Sequence, residues 1–134
     1  MPYDTALWPL QEAIYQKLEA DVSLKNMITG VFDAVPKDQA YPYVVIGEPA
    51  MLPFDTKTVP GEEISLVIHA WSDYPGKKET FNILNACQKA LSYKLDLPGF
   101  WILKVERLGI QVFDDIDPRI RHGVLRMKYT LRSE

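Results

Sequence analysis

Three side chains in this 134-residue chain belong to the types that most often bind metals or act as nucleophiles, namely His69, Cys87 and His122. A metal site needs several converging ligands, usually with short spacings along the chain, and these three residues are widely separated. Cys87 falls on the apolar stripe of a predicted helix, where a cysteine usually packs as a small core residue. We therefore expect no metal site, and we interpret both histidines as hydrogen-bonded structural residues on strands. They lie close together if their two strands pair.

Two further segments have some of the residue types of a ligand-binding loop. Asp114, Asp115 and Asp117 offer carboxylates to a cation, but the segment lacks the glycine and the distal glutamate of an EF-hand loop. Residues 75–80, Pro-Gly-Lys-Lys-Glu-Thr, lack the upstream glycine of a phosphate loop and the Ser or Thr after its lysine. We expect the aspartates to form a solvated acidic turn, or one that meets basic groups of a partner. We predict neither catalysis nor a cofactor.

The clearest structural pattern is a strand over residues 62–72, Glu-Glu-Ile-Ser-Leu-Val-Ile-His-Ala-Trp-Ser. Apolar residues alternate there with polar and aromatic ones, which is typical of a strand whose two faces differ. Its position between a long loop and a strong helical segment predicts a central strand.

Two helices are predicted from apolar residues that recur every three or four positions. The first begins between residues 5 and 8, and its stripe consists of Leu7, Leu10, Ile14 and Leu18. The second spans about residues 77–94, with the stripe Phe81, Leu84, Cys87, Leu91 and Leu95. A short helical piece follows the first helix, and Val31-Phe32 is a possible short strand. Because each helix has one apolar stripe, we expect both to cover the same face of a sheet.

Further strands are predicted at residues 43–48, 101–108 and 120–131, with connections at 49–63 and 109–119. The chain therefore reads as a single α+β domain over residues 1–134, with the order α-β-β-α-β-β and a mainly antiparallel sheet. The face covered by the helices is predicted to collect Ile64, Leu66, Ile68, Leu103, Val105, Leu125, Met127 and Tyr129. The uncovered face is predicted to carry His69, Trp71, Lys104, Glu106, Arg126 and Lys128.

Composition limits the classes of function. With 47% apolar and 25% charged residues, the chain is typical of a globular protein. The net charge of −3 gives no reason to expect general nucleic-acid or membrane-surface binding. A single cysteine cannot form an internal disulfide. Every arginine falls at or after Arg107, so the last quarter of the chain is where a polar interface is easiest to build.

The connection at residues 49–63 carries apolar side chains that have no evident place in the core, namely Met51, Leu52 and Phe54. A loop of this length in a small domain is usually functional or mobile. We therefore predict that it becomes ordered against a partner; the alternative is a loop that folds back over its own sheet.

Three passages together resemble one protein family. They are Tyr-Pro-Tyr-Val-Val-Ile-Gly-Glu at 41–48, Ile-His-Ala-Trp-Ser at 68–72 and Arg-His-Gly-Val-Leu-Arg at 121–126. With the opening helix and Asp-Thr-Lys-Thr at 55–58, they resemble the tail completion, or tail-to-head joining, proteins of long-tailed bacteriophages. The resemblance covers most of the chain and is greatest to siphophages that infect Gram-positive bacteria.

The resemblance implies a virion structural protein with a fold similar to that of the lambda tail terminator and without catalytic residues. Such a subunit is monomeric in solution and caps the head-proximal end of the tail tube as a ring, typically of six copies. The ring joins the tail tube protein to the head completion or connector protein, so the implied location is the head–tail interface of the virion, with assembly in the host cytoplasm. No cofactor and no membrane are implied.

Assembly through flexible loops keeps a free subunit from exposing a rigid apolar patch, because the cost of ordering opposes premature association. We expect residues 49–63 and 109–119 to be flexible in the free protein and ordered in the ring. The predicted interaction residues are Met51, Leu52, Phe54, Lys57, Asp114, Asp115, Asp117, Arg119, Arg126 and Lys128. Arg126 and Lys128 are predicted to meet acidic groups across subunits or on the tube. The alternative function is a small non-catalytic module that binds nucleic acid or another ligand.

Overall fold

The computed structural model describes residues 3–134. Two helices, α1 (Leu7–Ala20) and α2 (Val22–Lys25), precede three strands, β1 (Val31–Phe32), β2 (Tyr43–Pro53) and β3 (Gly61–Ser72). Helix α3 (Lys78–Ala90) follows, and then the long strands β4 (Phe100–Asp114) and β5 (Arg121–Ser133) complete the fold. The α+β class and the order of the main elements are as predicted, including the short extra helix and the short strand.

The strands form one five-stranded sheet in the order β1-β2-β3-β5-β4. Only the β1–β2 pair is parallel; the other three pairs are antiparallel. Strand β3 lies at the centre, as its alternation predicts. Strand β4 is an edge strand, and β1 covers only the first part of the outer edge of β2, at Val44 and Val45.

Both long helices pack on the same face of the sheet and form one core with it. Leu10, Ile14 and Leu18 of α1 are fully buried, as are Ile83, Leu84 and Cys87 of α3. Gly123 lets α3 approach β5 closely, since a Cβ there would lie 2.6 Å from side-chain atoms of Leu84 and Thr80. The predicted core positions on β3 and β5 are confirmed, namely Ile64, Leu66, Ile68, Leu125, Met127 and Tyr129.

Two predicted core positions, Leu103 and Phe81, are wrong, and a third, Val105, lies on the predicted face but is not buried. Leu103 lies where the β4–β5 register shifts between Ile102 and Lys104, and it is exposed. Val105 pairs with Tyr129 and so faces the helices, but it remains exposed because β4 is at the edge of the sheet. Phe81 is also exposed, because α3 turns Thr80, Ile83 and Leu84 towards the sheet instead.

The two long connections predicted at residues 49–63 and 109–119 are also wrong. Strand β2 continues past Pro49 by means of a bulge between Gly47 and Ala50, where Glu48 has a φ of 47°. Strand β4 continues past Gly109, whose φ of 141° serves a second register shift between Arg107 and Gly109. Only residues 54–60 and 115–120 remain as loops. Together with the adjoining strand ends they are named here the β2–β3 tip (residues 52–60) and the β4–β5 tip (residues 114–120).

These two tips lie at opposite ends of the sheet. Strand β3 begins at the β2–β3 tip and ends at Ser72, which pairs with Arg121 at the start of β5. The β4–β5 tip precedes Arg121, so it stands at the far end. With 12 residues in β3 and a rise of about 3.3 Å per residue, the tips are separated by roughly 40 Å.

Candidate assembly interface

The free edge of β4 carries many exposed apolar side chains. Thirteen of its 15 residues pair with β5 on one side, and no other strand of residues 3–134 pairs with them on the other side. Six large apolar side chains along it are 39 to 53% exposed, namely Trp101, Leu103, Val105, Leu108, Ile110 and Phe113. A long, apolar edge without proline is a template for pairing with another chain. This edge was missed in the sequence, although Ile110 and Val112 continue the strand alternation beyond Gly109.

A cavity of about 660 Å³ opens beside this edge, between the end of α3 and the first half of β4. Leu91, Leu95, Phe100 and Ile102 contribute apolar walls. The side chain of Tyr129 also lines the cavity, and its buried hydroxyl has no hydrogen-bond partner among the described residues. Burial raises the pKa of this phenol, so it stays a neutral donor. The lining of the cavity is therefore mainly apolar, with polar and charged side chains that include Ser92, Lys94 and Asp96.

The β2–β3 tip presents three of the four interaction residues that the sequence predicts in this region. Leu52 is 67% exposed, Phe54 is 45% exposed, and Lys57 is exposed as well. Met51 differs, because it faces the helices and packs against the core. Leu52 and Phe54 are therefore the apolar contact residues that this region offers.

Backbone hydrogen bonds fix the shape of this tip. The Phe54 N–H donates to the Gly61 carbonyl at 2.7 Å, and the Gly61 N–H donates to the Asp55 carboxylate at 3.1 Å. A Cβ at position 61 would lie 2.3 Å from the Phe54 carbonyl oxygen, so only glycine fits there. The tip is thus a defined structure rather than a structureless loop.

The β4–β5 tip is acidic, and two of its carboxylates are already paired. Asp114 contacts Arg121 at 3.3 Å, and Asp117 contacts Arg119 at 2.8 Å. Hydrogen bonds from the Arg119 side chain and backbone lower the pKa of Asp117 to about 2. Ile116 is fully exposed at the turn. Asp115 forms no ion pair within residues 3–134, so it and Ile116 are the groups that this tip leaves for a partner.

On the uncovered face, the two predicted cationic contact residues differ in their surroundings. The Lys128 ammonium pairs with Glu63 at 2.9 Å, and this hydrogen bond raises the pKa of Lys128. Arg126 is exposed and forms no salt bridge with any other described residue. Lys104 and Glu106, also on this face, lie 3.8 Å apart. Of the two predicted cationic contact residues, Arg126 is thus the one without an ionic partner among the described residues.

Near the β4–β5 tip, the uncovered face carries a stack of aromatic and histidine rings. Trp71 and His122 are stacked with ring centroids 3.8 Å apart, and Phe113 packs edge-on against His122. The His69 Nδ1 and His122 Nε2 atoms lie 2.6 Å apart, and His69 Nε2 contacts the Glu48 carboxylate. Burial and the neighbouring His69 lower the pKa of His122. The predicted proximity of the two histidines is confirmed, but the chain from His122 through His69 to Glu48 was missed because the β2 bulge positions Glu48.

Other kinds of site find little support in the part of the chain that the structure describes. No group of three or more His, Cys, Asp or Glu side chains within residues 3–134 is arranged to hold a metal ion. No helix in this range is long and apolar enough to cross a membrane. The β4 edge and the two tips carry exposed apolar side chains, and Arg126 is an exposed cation without an ionic partner among the described residues.

Comparison with known proteins identifies the family. Residues 12–132 match the family model for tail completion protein gp17. The chain is 33% identical to tail completion protein gp17 of Bacillus phage SPP1, over 99% of both chains. A solved structure of bacteriophage SPP1 gp17 aligns with 96% of this chain and 92% of its own, with a TM-score of 0.66 at 33% identity.

A second solved structure is even closer in shape. A chain in the virion of a native gene transfer agent particle aligns over 97% of this chain and 100% of its own, with a TM-score of 0.88 at 26% identity. The family match and the alignments extend over nearly the whole length described above, including both tips and the β4 edge. The chain therefore belongs to the tail completion protein gp17 family and is a structural component of the tail of a phage-type virion.

Proposed function

We propose that this protein caps the head-proximal end of the tail tube and joins the tail to the head. Monomers in solution assemble into a ring, typically of six copies, whose partners are the tail tube protein and the head completion or connector protein. The protein acts at the head–tail interface of the virion after assembly in the host cytoplasm. Its role is mechanical, without catalysis or a cofactor.

The observation that carries this proposal is the position of the two tips at opposite ends of one sheet. A joining subunit has to present one surface to the tail and a different one to the head. Here one end carries Leu52, Phe54 and the opposite charges of Asp55 and Lys57, and the other carries Ile116, Asp115 and the Asp117–Arg119 ion pair. The first loop is thus neutral and the second has one net negative charge. Two ends that differ in this way suit two different partners, since complementary charge selects the partner and its orientation.

The free β4 edge supports assembly from several copies. An isolated subunit with a long apolar edge is prone to associate, and a ring covers such an edge. We further propose that residues 49–63 and 109–119 are mobile in the free subunit and ordered in the ring.

Arg126 is our proposed cationic contact across subunits or with the tube. Lys128 lies on the same face but already pairs with Glu63, so it contributes less. Hydrogen exchange tests the proposed mobility: fast exchange at residues 49–63 and 109–119 in the monomer, slowed on assembly, is expected. Protection of both segments in the monomer would contradict it.

The proposed function is tested by imaging the purified chain with tail tubes from particles that lack it. A ring at one end of each tube, and recovery of infectious particles when heads are added, is the expected result. Asp115→Lys combined with Ile116→Ser should block one of the two attachments, because it reverses the charge and removes the apolar group of the β4–β5 tip. Asp33→Lys, an exposed charge reversal far along the chain, is the control. Salt-dependent binding to oligonucleotides without any binding to tubes would instead favour a nucleic-acid module.

A further inference from the structure

We propose that the cavity beside β4 is a socket for the β2–β3 tip of a second copy of this chain. Phe54 and Leu52 enter the cavity, and Lys57 meets acidic groups at its rim. This inference rests on the proposed assembly from several copies and identifies which two surfaces meet.

The β2–β3 tip and the cavity lie near the same end of the sheet. Strand β4 begins at the end of the sheet where Phe100 pairs with Ser133, and β3 begins at the same end, where Gly61 pairs with Arg132. The β2–β3 tip and the cavity therefore lie at one level along the strands. The tip and the cavity lie towards opposite edges of the sheet. Strand β2 pairs with one edge of β3, whereas β4 lies beyond β5 on the other edge. Placed side by side in the same orientation, the tip of one copy stands next to the cavity of the next.

The size and the lining of the cavity suit apolar side chains. A volume of about 660 Å³ is in the range of pockets that bury a small ligand, and the walls here are mainly leucine and aromatic side chains. An apolar cavity of this size suits an aromatic ring and a leucine side chain.

Charged side chains occur both on the β2–β3 tip and around the cavity. Lys57 is the only cation of the β2–β3 tip, and the Asp55 carboxylate is occupied by the Gly61 N–H. The lining of the cavity includes two acidic side chains, Asp96 and Glu134, and the cation Lys94, none of which forms a salt bridge within the described residues. A second cation, Arg107, is hydrogen-bonded to Gln88. A lysine entering at the level of Asp96 therefore finds one unpaired carboxylate, which has Lys94 as a neighbour in sequence.

The outer edge of β2 is poorly suited to pair with β4 of the next copy as a continuous sheet. Two prolines, Pro49 and Pro53, lie on β2 beyond the part that β1 covers, and the β2 bulge falls between Gly47 and Ala50. Proline lacks the N–H that strand pairing uses. Insertion of side chains into the socket avoids this obstacle.

The contact is heterologous, because one surface of each copy meets a different surface of the next. Such contacts form closed rings when the rotation between copies closes. The proposed contact thus explains why two unlike surfaces of one chain are apolar at the same level.

The sharpest test is cysteine cross-linking of chains assembled on tail tubes. A chain with both Lys57→Cys and Asp96→Cys should form a ladder of cross-linked oligomers. Each single variant should remain monomeric under oxidising conditions, and a mixture of the two should stop at dimers. The native Cys87 is fully buried and does not interfere. Oligomers of the Asp96→Cys variant alone would show that like edges meet, which overturns the proposal.

Truncation and charge reversal give a second test. Phe54→Ala should weaken ring formation about tenfold or more, as expected for an aromatic anchor in an interface pocket. Trp8→Ala removes a comparably exposed aromatic side chain from α1 and should leave assembly unchanged. Lys57→Asp and Asp96→Lys should each weaken assembly, and the double variant should restore it. Failure of the double variant to recover any assembly would count against the contact between Lys57 and Asp96.

The two proposals fail in different ways. If the wild-type chain never binds tube ends, the proposed joining function is wrong. If it forms rings on tubes but the double-cysteine variant gives no ladder and Phe54→Ala has no effect, joining stands and the socket is wrong.

Discussion

The carboxylate of Glu62 accepts a hydrogen bond from the backbone N–H of Ala6 at 2.7 Å and another from the Thr5 hydroxyl at 3.0 Å. Glu62 is only 5% exposed, and it lies at the start of the central strand. Helix α1 has no side-chain cap of its own at Ala6, so a residue distant in sequence supplies the negative charge that its N-terminus favours. This contact ties α1 to the sheet close to the β2–β3 tip.

Glu62→Ala should therefore lower the free energy of unfolding by about 1–3 kcal/mol, since a charged hydrogen bond is lost and the Ala6 N–H is left unpaired. The matched control is Glu63→Ala, which removes the partially exposed ion pair with Lys128 and should cost at most about 1 kcal/mol. Urea denaturation of both variants provides the measurement. Equal losses would show that Glu62 does not anchor α1.

Stability should fall as the pH drops below about 6.5, the ordinary pKa of histidine. The native state lowers the pKa of His122, so the unfolded chain binds a proton more readily in this range, and protonation favours unfolding. The stability that neutral His122 contributes is fully present above the pKa of this residue in the unfolded chain. It is lost as the pH falls through the pKa of His122 in the native state. Glu48 and Asp115 oppose this shift, while His69 and burial produce it.

His122→Phe keeps a ring against Trp71 but cannot take up a proton. Unfolding free energies at about pH 7.5 and about pH 5.5 should differ less in this variant than in the wild type. An unchanged difference would assign the pH dependence to other groups.

Gly123→Ala should destabilise the fold by about 1–3 kcal/mol, because the new methyl group would overpack the contact between α3 and β5. Its Cβ would lie 2.6 Å from atoms of both Leu84 and Thr80, whereas a Cβ at Gly47 would have nothing nearer than 3.4 Å. Gly47→Ala is thus the control with a smaller effect. In thermal unfolding, Thr80→Ser should recover part of the loss from Gly123→Ala, and a double variant no better than the single one would argue against this close contact.

Cys87 should not react with thiol reagents in the native protein. It is fully buried, and burial raises the pKa of its thiol to about 12, so the reactive thiolate is scarce. Labelling should proceed only through opening of the core, and should speed up with added urea. Lys57→Cys, on the exposed tip, provides a fast-reacting comparison. Equally fast labelling of wild-type Cys87 would show that α3 detaches readily.

The fold was predictable because the alternation on β3 and the stripes of α1 and α3 follow directly from which side chains are buried. The strand ends were not predictable. Pro49 is expected to stop a strand, but here the edge position of β2 and the bulge at Glu48 accommodate it. Gly109 likewise reads as a loop glycine, yet it serves a bulge within β4. Bulges depend on the register between strands, which a local pattern does not contain.

The proposed interface residues show the same division. Leu52, Phe54 and the aspartates near 115 are recognisable in the sequence because apolar or acidic groups stand out between elements. Glu62 was expected to be an ordinary strand residue, since nothing local reveals that Ala6 lies against it. The cavity, too, arises only when α3, β4 and Tyr129 come together. Pairings between distant segments were therefore the part that sequence reasoning missed.

The two register shifts in β4 determine which strands this edge accepts. A straight edge of 15 apolar-rich residues would recruit almost any extended peptide and would promote fibrous aggregation. The shifts at Leu103 and Leu108 interrupt the regular spacing of the free N–H and C=O groups, so that a long partner strand cannot stay in register.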